Sequence, residues 1–147
     1  MNLTLRDPQW ESRVRTSFAA QNFMTHLGAV MTHLAPGEVD LELSLRPELT
    51  QQHGFFHAGA TSSIADSAAG YAALSLYPAG FGVLTSEFKI NLLNPARQPR
   101  LVAKGRVIKP GRMLTICQSD VYGIDGTDQV HVAAGLFTLV ALEGMKD

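Results

Sequence analysis

Asp66 is the only Asp, Glu, Lys or Arg in the run His57-Ala-Gly-Ala-Thr-Ser-Ser-Ile-Ala-Asp66-Ser-Ala-Ala-Gly-Tyr-Ala-Ala-Leu74. Small and apolar residues in such density belong in an interior. An unpaired interior carboxylate is costly, so the group is partnered, protonated or used. We read it as used. A carboxylate in that setting takes a proton from water or attacks an electrophilic carbonyl itself. The same segment begins at Ala58 and Gly59. A helix start there offers unpaired N–H groups and a positive dipole end to a developing oxyanion. Neither residue has a side chain large enough to obstruct a substrate.

The spacing makes a demand on assembly. Eight residues of helix separate Ala58 from Asp66. They place the two groups roughly 12 Å apart along the axis, beyond the reach of one carboxylate. One carbonyl cannot touch both groups of the same helix. If both act on it, they come from two subunits with antiparallel helices, and the chain is expected to form a homodimer with two interfacial sites.

The elements that position these residues follow from periodicity. Pro8–Gln21 reads as a helix, with Asp7 as its cap and Trp10, Val14 and Phe18 at fourfold spacing. Phe23, Met24 and Leu27 continue into a turn at Gly28. Ala29–Leu34 and the strictly alternating Val39–Leu45 flank the turn signal Pro36-Gly37 and form a hairpin. The Ala-rich helix runs from Ala58 to Leu76. Four strands follow, at Val83–Leu93, Leu101–Lys109, Leu114–Tyr122 and Val130–Leu142, with turns at Pro110-Gly111-Arg112 and Asp125-Gly126. The predicted class is α+β, one antiparallel sheet packed on a long small-residue helix, preceded by an N-terminal helix. Residues 1–147 make one domain, its core about 23–142.

Composition excludes several classes of partner. With a net charge of −1 over 147 residues, neither nucleic acid nor an anionic membrane is the expected partner. The opening residues lack a signal-peptide pattern and the longest apolar stretch carries Asp66, so no membrane span is expected. Cys117 is the single cysteine, which suits a reducing cytoplasm and a place in the core. His53 and His57 stand four apart without a third ligand, so no metal is expected. Ser62 and Ser63 lack the glycine pattern of a nucleophile elbow.

The runs Gln51-Gln52-His53-Gly54-Phe55-Phe56-His57-Ala58-Gly59, Ile64-Ala65-Asp66 and Gly70-Tyr71-Ala72-Ala73 resemble the hotdog-fold thioesterases of the PaaI (phenylacetate-pathway) type. Their hallmark is His-Gly-Gly, six residues, then Asp. Here His57-Ala58-Gly59 stands at the triplet, with Ala for the first Gly. The strand around Val83–Ala96, and Gly105-Arg106-Val107 and Gly111-Arg112, also match. The resemblance implies a hotdog fold, dimers joined sheet edge to sheet edge and often paired again into tetramers, and hydrolysis of acyl-coenzyme A thioesters. The coenzyme A moiety is bound as part of the substrate and no further cofactor is required. It implies that Gln51 orients the water or thioester, that Thr85 lines the site beside Asp66, and that His57 positions the helix start.

Coenzyme A phosphates need basic residues at the cleft. Lys109, Arg112 and Arg106 are the candidates, with Arg97 behind them. Phe55, Phe56, Tyr71 and Leu74 are candidates for an apolar acyl pocket. Two other functions share this fold: a hydratase or dehydratase, in which His53 would work with Asp66, and a non-catalytic acyl-coenzyme A binding protein.

Overall fold

The structure is a computed structural model and describes Leu3 and residues 5–145. Helix α1 spans Trp10–Ala20 and α2 spans Asn22–Leu27. The first helix starts two residues later than its periodicity predicts. Pro8 and Gln9 form a turn, and Asp7 Oδ1 accepts the Gln9 N–H at 2.8 Å. Gln21 is extended, so residues expected only to run into the Gly28 turn form a separate short helix. Gly28, at φ 76°, closes it in the left-handed conformation that glycine adopts without penalty. Val14 is fully buried, with Trp10 and Phe18 packed beside the core.

An arginine fastens this N-terminal unit to the rest. Arg13 Nε lies 2.8 Å from Asp7 Oδ2. Its guanidinium also donates to the carbonyls of Tyr77 at 2.7 Å and Phe81 at 3.1 Å. These carbonyls follow the end of the central helix, where no helical N–H reaches them.

Strands β1 (Val30–Ala35) and β2 (Glu38–Ser44) form the expected hairpin, with Gly37 at φ 75° in its turn. The central helix α3 spans Ala58–Leu74. The remaining strands are β3 (Phe81–Leu92), β4 (Arg100–Lys109), β5 (Leu114–Asp125) and β6 (Asp128–Glu143). All pairings are antiparallel, in the order β1-β2-β4-β5-β6-β3. Burial alternates along β4 and β5, so one sheet face packs on α3. Cys117 is in that core, where burial pushes its thiol up to about 12.

The small residues of α3 allow close approach. A Cβ on Gly105 of β4 would lie 2.3 Å from the carbonyl carbon and oxygen of Ala68, well inside contact distance. This helix-on-sheet arrangement is the α+β hotdog architecture that the resemblance implies. Among the described residues the sheet ends in two free edges, β1 and β3, and β3 pairs only with β6, leaving Leu84, Phe88 and Leu92 about half exposed.

Candidate active site

Asp66 sits midway along α3 on the face that the sheet does not cover. Ser62, Ser63, Ser67 and Gly70 share that half-buried face, at the spacing of one helix side. The carboxylate has a specific partner: Thr85 Oγ1 of β3 donates to Asp66 Oδ1 at 2.7 Å. Thr85 is thus beside Asp66, as its matched position implies. Ser63 bonds the Gly59 carbonyl at 2.6 Å instead. Burial raises the Asp66 pKa above the ordinary carboxylate value, and the Thr85 bond opposes that rise. A carboxylate tuned upward yet held by a hydroxyl donor is suited to proton abstraction.

Asp66 and Thr85 open into a cavity of about 310 Å³. One wall is α3 from Asp66 to Leu74; Val83 and Leu139 come from the sheet. The other wall is Ser17 and Ala20 of α1 and Gln21, which follows it. Sequence reasoning missed this α1 wall. Nothing local in Ser17-Phe18-Ala19-Ala20-Gln21 distinguishes a cavity wall from a solvated helix face.

The helix start lines a second cavity, of about 460 Å³, together with Gln51, Phe55, Phe56, Leu92 and Leu93. Residues 51–56 form a tight loop: Gln51 N–H bonds the Phe55 carbonyl, and Gln51 Oε1 accepts the His53 N–H. His57 is the N-cap of α3, and its Nδ1 accepts the Gly59 N–H at 2.8 Å. That role requires a bare Nδ1, so this ring nitrogen carries no proton. The bond revises the pair of candidate oxyanion donors. The Gly59 N–H is already occupied, whereas the Ala58 N–H makes no hydrogen bond among the described residues and borders the cavity.

The two cavities divide the other candidates. Tyr71 and Leu74 line the Asp66 cavity, while Phe55 and Phe56 line the other, so within one chain they do not form a single pocket. His53 borders neither cavity, and the structure does not bring it to Asp66. Arg106 is on the opposite sheet face, 2.7 Å from Asp40 and 3.4 Å from Glu38. Arg112 is beside Arg6 and Tyr77, and Lys109 ends β4; none of the three lines either cavity. Arg97 stacks 5.1 Å above the ring of Phe55, which lines the Gln51 cavity, but does not itself line it.

Comparison with known proteins decides the family. A model of the thioesterase superfamily matches residues 53–129, just over half of the chain and inclusive of both Asp66 and the His57 cap. The chain belongs to the thioesterase superfamily. A thioesterase family protein from Silicibacter pomeroyi is 45% identical, with a TM-score of 0.90, over 92% of this chain and 99% of that one. The PaaI protein of the E. coli phenylacetic acid degradation operon superposes with a TM-score of 0.84 at 19% identity, over 97% of this chain and 99% of that one. The Haemophilus influenzae thioesterase HI1161 has a TM-score of 0.79 at 18% identity, over 88% of this chain and 89% of that one. At such identities the last two establish the hotdog fold. Thioester hydrolysis is the general reaction class of this thioesterase.

Proposed function

We propose that this thioesterase hydrolyses acyl-coenzyme A at two composite sites of a homodimer, each built from Asp66 and Thr85 of one protomer and Gln51, His57 and Ala58 of its partner. The observation that carries this reading is the split between the two cavities. One holds a tuned carboxylate without an unoccupied helix-start N–H, and the other holds that N–H without a carboxylate. About 12 Å of helix separates them in one chain. A neighbouring antiparallel α3 brings the halves together. The free edge of β3, with Leu84, Phe88 and Leu92 exposed, offers the surface for edge-to-edge joining.

In the assembled site the thioester oxygen accepts the Ala58 N–H at the positive end of α3. Ionised Asp66 takes a proton from water as the water oxygen bonds to the carbonyl carbon, or attacks that carbon itself. Either route uses the same charged carboxylate. The resulting tetrahedral oxyanion collapses, the carbon–sulfur bond breaks, and the thiolate of coenzyme A leaves with the electron pair; in the first route the proton held by Asp66 passes to that thiolate, and in the second water then hydrolyses the mixed anhydride left on Asp66 and frees the acid. Gln51 lies on the helix-start side, where its amide can orient water or the thioester. Arg97, stacked on Phe55 of that cavity's lining, is our candidate for contact with coenzyme A phosphates.

Subunit complementation tests the shared site. Asp66→Ala and Gln51→Ala proteins are each measured alone for thiol release from acyl-coenzyme A, then co-expressed and measured again. In the mixed dimer one site carries both lesions and the other is intact. Co-expression therefore restores a substantial share of wild-type turnover. Activity no greater than that of the separate variants refutes the composite site.

A further inference from the structure

Gly70 lies one helical turn beyond Asp66, on the same cavity wall. Glycine weakens a helix interior relative to alanine, so its presence there needs a reason. The usual reasons fail at this position. Gly70 is not among the glycines with positive φ. A Cβ built on it meets no atom within 4 Å, in contrast to Gly105, which has Ala68 against it. Within the chain, the missing side chain leaves space and relieves no clash.

That space has a direction. Asp66, Ser67, Gly70, Tyr71 and Leu74 run along one side of α3 and make a slot roughly 12 Å long from the carboxylate to Leu74. Ala20 of α1 also lines the slot, so both helices present small residues to it, and Leu74, Val83 and Leu139 add apolar side chains to its lining. The Arg13–Asp7 pair and the Arg13 bonds beyond α3 hold α1 in place, so the slot has a fixed wall.

We infer that Gly70, with Ala20 of α1, sets the size of acyl group this enzyme accepts: the acyl chain runs from the thioester carbonyl at Asp66 over Gly70 toward Leu74. The inference rests on the proposed thioester site and adds the direction of the acyl group and the residues that limit it. The substrate class is an acyl group that fits a slot roughly 12 Å long lined by Tyr71, Leu74, Val83 and Leu139.

The experiment measures kcat/KM by thiol release from acetyl-, butanoyl-, octanoyl- and phenylacetyl-coenzyme A. The enzymes are wild type, Gly70→Ala, Gly70→Leu and Ala20→Leu, each with its unfolding midpoint and sedimentation profile. One methyl-sized obstruction in an apolar pocket is worth about tenfold or more in discrimination. Gly70→Ala therefore lowers the octanoyl-to-acetyl ratio about tenfold while its unfolding midpoint holds or rises. Gly70→Leu lowers the ratio further, and Ala20→Leu shifts it in the same direction from the opposite wall. Losses that are equal across the panel overturn the inference. So does dissociation of the Gly70 variants, which would mean that the space receives a second copy of the chain. A wild type active on the panel combined with a flat Gly70 profile refutes the acyl slot alone. A wild type that releases no thiol from any member refutes the proposed function and this inference with it.

Discussion

Replacing Thr85 with valine isolates the bond that tunes Asp66. Valine keeps the branched shape and removes the hydroxyl that donates to Asp66 Oδ1 at 2.7 Å. Two effects act on the carboxyl group: burial raises its pKa and the Thr85 bond lowers it. Without the bond, desolvation acts unopposed and ionisation becomes harder. A hydrogen bond to a charged group contributes about 1.5–3 kcal/mol. Asp66 is half-buried and keeps some solvent contact, so the lower end applies. About 1.4 kcal/mol corresponds to a factor of ten between protonation states. The acid limb of kcat/KM against pH therefore moves to higher pH. On that limb the variant is about tenfold slower than wild type, and the gap narrows on the plateau where Asp66 is ionised in both. Thiol release measured across the limb and plateau reads this directly, with Thr85→Ser, which keeps a donor, as the control. An acid limb that stays in place, or a loss equal at every pH, refutes the tuning role and leaves Thr85 as a packing residue.

Asp66→Asn is expected to lose about 10²–10⁴-fold in turnover and yet unfold at a higher temperature than wild type near neutral pH. Burial raises the Asp66 pKa, so its charge costs the fold stability above the raised value; the advantage of Asn disappears as pH falls below the ordinary carboxylate value, which paired melts at neutral and acid pH will show. Gly105→Ala forces a Cβ to within 2.3 Å of the Ala68 carbonyl, and the strand or helix must shift; a loss of about 1–3 kcal/mol is expected in denaturant unfolding. Arg13→Ala leaves the buried Asp7 carboxylate without its ion pair and removes the donor to the Tyr77 and Phe81 carbonyls; about 3 kcal/mol of stability is expected to go, with faster proteolysis at α1.

By itself, the sequence determined what repeats locally. The alternation of Val39–Leu45 and the Pro36-Gly37 turn required a hairpin, and the small-residue run from Ala58 required a long helix in close contact with a sheet. One acid inside that run, eight residues from the helix start, was enough to separate the carboxylate from the N–H groups of the helix start by about 12 Å. Those features follow from bond geometry and side-chain period, which act over a few residues. The tertiary structure decided everything that depends on distant segments meeting. It set Thr85 of β3 against Asp66 and laid α1 along the Asp66 cavity, where Ser17 and Gln21 have no local signature. It turned the His57 ring onto the Gly59 N–H, leaving Ala58 as the unoccupied donor. It paired Arg106 with Asp40 on the far sheet face and brought Arg97 over Phe55 instead. Arg106 and Arg97 carry the same charge; strand pairing holds one on the far face and loop packing sets the other over Phe55, and neither outcome is written in a local pattern.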